Sequence, residues 1–275
     1  MSSASSSSSL PPLGAVDLDY RIEDYQPGAH RDNVFCCQRS DQAVLSEASV
    51  GQPGRALDIG CGLGKLITGL QEEGWEGWEA WGLDASASML ALGRYLQPDD
   101  RVIRVRSIAE ALPFRDGSFD CVLCKGSLDH FADPAAFMRE AARILTPDGR
   151  LIIALTNYES LSCHVGKVFY GVREALGIPL PRRLFYWERP PDHTVLGSLR
   201  LVRSLGDGYF RLERCYGVSL LWLLAPWGEL MDGLPLRLAW AVMAVLDWAA
   251  YRLPGAADMI VSVWRPRGAK REPKP

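Results

Sequence analysis

The segment Leu57-Asp-Ile-Gly-Cys-Gly-Leu-Gly-Lys65 constrains the fold more than any other part of the chain. An apolar strand runs directly into three glycines at alternate positions, and a helix-length segment follows. Gly60, Gly62 and Gly64 permit positive φ and let backbone approach a ligand where a side chain would clash. At the C-terminal end of a first strand, such a turn builds a nucleotide pocket. The spacing is G-x-G-x-G, so a dinucleotide fingerprint fails at Lys65, and no Gly-Lys-Ser/Thr follows at phosphate-loop distance. Nicotinamide and phosphate-loop chemistry are therefore disfavoured.

Between Arg55 and Thr156 short apolar runs alternate with helix-length segments, the pattern of βα units building a parallel sheet covered on both faces. The expected architecture is α/β: a doubly wound, Rossmann-like, mostly parallel seven-stranded sheet with a helical C-terminal cap. Strands are predicted at 55–59, 79–83, 102–105, 119–124 and 151–155. One helix is expected after Gly64, a second capped by Ser86, and a third starting at Asp133-Pro134. Pro147-Asp148-Gly149 predicts the turn back into the fifth strand. After Tyr158 the alternation fades, and 211–216 with 259–264 are expected to finish the sheet as an antiparallel pair at one edge. The chain thus divides into a disordered serine-rich leader at 1–15, a lid segment at 16–44, a cofactor-binding core at 45–157, an acceptor lobe with the last two strands at 158–265, and a tail at 266–275.

A second signal is Gly82-Leu83-Asp84, which ends the second strand with a carboxylate able to accept both hydroxyls of a ribose. Together with Ala109-Glu-Ala-Leu-Pro-Phe-Arg-Asp-Gly-Ser-Phe-Asp120 and Ala142-Arg-Ile-Leu-Thr-Pro-Asp-Gly149, these motifs stand in one order. Over roughly Arg55 to Asn157 the chain resembles the class I S-adenosylmethionine-dependent methyltransferases, in particular the quinone and small-molecule C- and O-methyltransferases. The resemblance implies S-adenosylmethionine as cofactor. Asp58 and the turn Gly60, Cys61, Gly62 and Gly64 would hold its methionine part, and Asp84 its ribose. Ala85 and Met89 would flank the adenine, the loop Ile108-Ala109-Glu110 would cover its other edge, and Lys125 would join the cofactor contacts. Many relatives carry an aspartate where this chain has Ile108, so the adenine amino group falls to backbone groups or to Glu110.

The fourth strand ends in Lys125-Gly-Ser-Leu-Asp-His130, where this fold usually faces the transferred methyl. No Asn/Asp-Pro-Pro-Tyr/Phe motif stands there, which disfavours amino groups of nucleobases or glutamine as acceptors. Transfer from a sulfonium is an in-line displacement, so the protein supplies alignment, shielding and, where needed, a base. His130 and His193 are the two candidate bases. Trp222, Trp227, Trp240 and Trp248, set among leucines, suggest a lobe shaped around an apolar or aromatic small acceptor; the alternative is that they form the lobe's own core. Tyr20, Tyr25, His30 and Arg31 are candidates for a lid over the cofactor.

With 30 basic against 33 acidic residues and a formal charge of -3, the chain shows no field for polyanions. Arg182-Arg183 with Phe185-Tyr186-Trp187 is read as a packed lobe surface, and nucleic-acid binding is not expected. The seven cysteines are odd in number and scattered, which suits reduced thiols in a cytoplasm. Cys121 and Cys124 sit in a strand, on opposite faces, with no second pair to complete a zinc site, so no metal is expected. No apolar run reaches the length of a membrane span, although contact of the tryptophan-rich segment with a membrane surface stays open, and oligomeric state is unassigned. The functional expectation is an enzyme methylating a small, apolar or aromatic molecule. An inactive methyltransferase-like binding protein and an RNA methyltransferase are the alternatives.

Overall fold

The computed structural model describes residues 30–72, 77–179, 186–206 and 208–267. The expected leader, Tyr20 and Tyr25 of the lid, Arg182, Arg183 and Phe185, and the tail beyond Arg267 lie outside the described residues. In chain order the elements are α1 (Arg31–Ala48), β1 (Arg55–Ile59), α2 (Lys65–Glu72), β2 (Glu79–Asp84), α3 (Ala87–Leu96), β3 (Ile103–Arg106), β4 (Phe119–Lys125), α4 (Pro134–Ile144), β5 (Leu145–Thr156), α5 (Leu161–Ala175), α6 (Leu199–Leu205), β6 (Phe210–Val218), α7 (Ala225–Gly233), α8 (Leu236–Arg252) and β7 (Met259–Pro266).

The strands form one seven-stranded sheet in the order β3-β2-β1-β4-β5-β7-β6. The first five run parallel, and β7 lies antiparallel to both β5 and β6. Chain order reverses between β1 and β4, the switch point where ligands of open α/β sheets bind. Strand β1 is buried from Ala56 onward because both faces of a parallel sheet are covered. Leu57, Ile59, Val122, Cys124, Ile153 and Leu155 face α4 and α6. Ala56, Cys121, Leu123, Ile152 and Ala154 face α1 and α2. Cys121 and Cys124 thus point to opposite faces, both as free thiols whose pKa burial raises.

Local chemistry sets the helix starts. Ser86 Oγ accepts from Met89 N at 3.2 Å to cap α3, and Asp133 accepts from Ala135 N and Ala136 N at 2.9 and 3.0 Å to cap α4, with Pro134 at its first position. Pro147-Asp148-Gly149 departs from the expected turn: β5 already begins at Leu145, and these residues form an irregular step inside the strand as its partner moves from Phe119 to Cys121.

Other expectations shift as well. The 44/45 boundary falls inside α1, which packs on the sheet as part of its helical layer. His30 and Arg31 anchor that helix to α7 through Asp232 at 2.6 and 3.0 Å and the carbonyl of Leu234 at 2.6 Å. The lobe's tryptophans form its own seam with α1: Trp240 meets Phe35 edge-on at 5.6 Å, and Trp222 Nε1 donates to Asn33 Oδ1 at 2.9 Å. Trp248 is exposed, with the Arg252 guanidinium over its ring at 4.0 Å. Among the described residues no helix is long and apolar enough to cross a membrane.

Candidate active site

The glycine turn has the backbone its sequence requires, with φ of +72°, +52° and +81° at Gly60, Gly62 and Gly64. Gly60 N and Cys61 N both donate to Leu83 O, at 2.8 and 3.0 Å, which ties the turn to the tip of β2. A Cβ on Gly60 would stand 2.4 Å from Ser127 Cβ and Oγ, so the tips of β1 and β4 come together only because that residue has no side chain. A Cβ on Gly62 would meet only Met89 Cε, at 3.2 Å, and the Cys61 thiol lies against Gly82.

Asp84 faces this turn. Its Oδ2 accepts from Gly62 N at 2.8 Å and its Oδ1 from Ser86 N at 2.8 Å, so one carboxylate fixes both the turn and the start of α3. Each oxygen retains a further lone pair for a hydroxyl donor. Asp58, at the end of β1, is buried, and burial pushes its pKa up to about 7 against the pull of Lys125. Lys125 Nζ pairs with Asp41 Oδ1 of α1 at 2.9 Å.

Met89 and Ala109 are buried, Met89 with its Cε toward Gly62 and Ala109 within the core, and the Ala85 carbonyl accepts from Arg106 Nε at 3.0 Å. Glu110 is buried, accepting from Asp133 N at 3.2 Å, so it braces the entry to α4. Ile108, where many relatives carry aspartate, brings no carboxylate to this loop. A site missed in the sequence is Arg104, paired with Asp100 at 2.5 Å and backing Gly64. Glycines that bring backbone close, a buried carboxylate suited to an ammonium group and a second suited to vicinal hydroxyls fit the methionyl and ribosyl parts of S-adenosylmethionine.

Beyond Ser127 the chain makes a short 3-10 turn, Leu128–His130. Here the two histidines singled out as alternatives come together, with ring centroids 4.5 Å apart. His193 Nδ1 lies 3.3 Å from Asp129 Oδ2 and 3.1 Å from the Tyr158 hydroxyl, and His130 Nδ1 lies 3.2 Å from Asp192 Oδ2. Burial holds the His193 pKa below its ordinary value, with Asp129 opposing. The lobe segment is pinned to the end of β4 by Thr194, whose N and Oγ1 donate to Asp129 O at 2.7 and 3.1 Å. Asp129, Asp192 and Tyr158 were passed over in the sequence, although two of them adjoin the histidines. Tyr186 and Trp187 pack against Gly166 of α5, where Tyr186 donates to Ser162 O at 2.7 Å.

Residues 57–153 match the family model described as a methyltransferase domain. The chain is 37% identical over 128 residues to the uncharacterized methyltransferase YcgJ of Bacillus subtilis, covering 45% of this chain and 49% of that protein. It is 32% identical over 106 residues to a ubiquinone biosynthesis O-methyltransferase of Xanthomonas oryzae, covering 38% and 43%. These matches span less than half the length of the relatives. Among solved structures, the PH0226 protein of Pyrococcus horikoshii shares the fold at a TM-score of 0.56 and 18% identity, over 90% of this chain and 100% of that one. The [4+2]-cyclase SpnF shares it at 0.52 and 23%, over 83% and 82%. Through the matched domain, the strand order and the glycine turn set against Asp84, residues 57–153 form a methyltransferase domain of the class I S-adenosylmethionine-dependent kind, and S-adenosylmethionine is the cofactor of that core.

Proposed function

We propose that the protein transfers a methyl group from S-adenosylmethionine to a small, apolar or aromatic molecule bearing a hydroxyl, held between the end of β4 and the lobe that follows Tyr158. The observation that carries this reading is the convergence of Asp129, His130 and His193 one turn beyond the Gly60–Ser127 contact. A polar group of this kind next to the cofactor turn suits an acceptor that must lose a proton as it reacts. Tyr158, its ring centroid 6.0 Å from that of His193, supplies an aromatic face beside it. The name of the ubiquinone O-methyltransferase relatives points to the same substrate class.

In this reading Asp58, Gly60, Cys61, Gly62, Gly64, Asp84, Ala85, Met89, Ile108, Ala109, Glu110 and Lys125 surround the cofactor, which supplies an electrophilic methyl when bound. The histidine cluster prepares the acceptor's oxygen, and alignment of that oxygen with the methyl provides most of the remaining acceleration. The test is a panel with phenols and reduced quinones in one arm and polar amino acids, nucleosides and tRNA in the other, scored by release of S-adenosylhomocysteine. Turnover is expected in the first arm alone, and His193→Ala should lower it about 100-fold or more while S-adenosylhomocysteine still binds. Turnover confined to the polar arm would overturn the reading.

A further inference from the structure

We propose that Asp129, His130 and His193 form a binding site for a divalent transition ion of the zinc class. The inference concerns the acceptor side of the reading above and does not depend on it, since ion binding is measurable without methyl transfer.

One ligand atom from each of the three residues lies within 4.8 Å of the other two. Two imidazoles and one carboxylate form a borderline donor set that prefers zinc, cobalt or ferrous iron to magnesium or calcium. Asp129 supplies a second, independent observation. Its side chain is buried, at 6% residue exposure, yet Oδ1 has no hydrogen-bond partner. An orphaned buried carboxylate oxygen calls for a cation or an ordered water. Its other oxygen stands 3.3 Å from His193 Nδ1. That is long for a charge-assisted hydrogen bond but close to the roughly 3.4 Å between neighbouring ligand atoms of a tetrahedral zinc ion with bonds of about 2.0–2.1 Å.

The surroundings are arranged to hold such ligands. Thr194 fixes the backbone of the His193 segment to Asp129, so the carboxylate and the imidazole approach as a rigid pair. Asp192 Oδ2 stands against His130 Nδ1, the kind of outer partner that orients a ligating imidazole. The His130 side chain is 27% exposed, which leaves a path for the ion, while His193 is 12% exposed. Three protein ligands would leave a fourth position for an acceptor oxygen, where the ion would act as a Lewis acid and favour the hydroxylate. His193 lies outside residues 57–153, so the site would be assembled jointly by the matched domain and the lobe.

The experiment uses the full chain, stripped of metal with a chelator and titrated with Co2+ by visible absorption and with Zn2+ by calorimetry; Mg2+ serves as competitor. One equivalent of Co2+ should bind with an intense, low-symmetry ligand-field spectrum, displaced by Zn2+ and not by Mg2+. Asp129→Asn, His130→Ala and His193→Ala should each weaken Co2+ binding by more than the roughly 10–100-fold that an outer partner is worth. The variant lacking the two remaining histidines, His30→Ala/His164→Ala, should bind as the parent does. S-adenosylhomocysteine titrations on the same samples report folding and the donor site separately. Absence of Co2+ and Zn2+ binding by the parent would overturn the proposal. So would unchanged affinity in His130→Ala/His193→Ala, or loss only in His30→Ala/His164→Ala.

Discussion

Asp84 carries more of the site than any other single residue. Its two oxygens accept from Gly62 N and Ser86 N, and so join the tip of β2, the glycine turn and the start of α3 before any ligand arrives. Asp84→Ala removes those acceptors together with the lone pairs proposed for the ribose hydroxyls. A lost hydrogen bond to a charged group is worth about 1.5–3 kcal/mol, so S-adenosylhomocysteine affinity should fall roughly 10–150-fold by calorimetry. Unchanged affinity would mean that the carboxylate only braces the turn. Asp84 was legible in the sequence because a strand end, a glycine turn and their spacing are all local. Asp129 was not, because what distinguishes it is a histidine 64 positions away and an oxygen left without a partner once the lobe closes over it.

At the scale of elements, the approach of β1 to β4 rests on Gly60. Gly60→Ala would drive a Cβ to 2.4 Å from the Ser127 side chain and hold a non-glycine residue at φ +72°. Such strain costs about 1–3 kcal/mol before any repacking, so both the melting temperature and the S-adenosylhomocysteine affinity should drop. Adding Ser127→Gly removes the atoms that clash and should return part of both losses; no recovery would show that the backbone angle alone is at fault. Gly62→Ala, facing only the end of Met89, should disturb the fold less. The first four parallel strands were readable to within a residue because apolar runs and caps at Ser86 and Asp133 are local signals, whereas β5 begins six residues before its expected start. The step at Pro147-Asp148-Gly149 was misread as a turn, since its backbone is set by pairing with β4. The role of the lobe's tryptophans depends on α1, which lies far from them in sequence, and helical periodicity could not choose between a pocket and a seam.

For the whole molecule, two buried carboxyls set an unusual pH response. Burial holds Asp58 and Asp258, the latter just before β7 and accepting from Trp222 N at 2.9 Å, each up to about 7, from an ordinary value near 3.8. Between about pH 4 and 7 the native chain therefore binds more protons than the unfolded one, and the stability contributed by these groups declines as pH rises through that window, then levels off. The combined effect should be on the order of a few kcal/mol, read as a urea midpoint that is higher at pH 5 than at pH 8. Asp58→Asn and Asp258→Asn should each flatten the slope, and a midpoint that rises with pH in the parent would refute the assignment. The placement of β7 has a consequence for how the chain is made. Strand β6 emerges from the ribosome with no strand to join, because its partner β7 follows it in chain order and must slot between it and β5. At 5–20 residues per second the intervening α7 and α8 take roughly 2–8 s to appear, an interval in which an edge of β5 and an unpaired β6 stand open to other chains. A nascent polypeptide halted before Met259 would keep the nucleotide-binding half of its sheet and lack the strand that seals it.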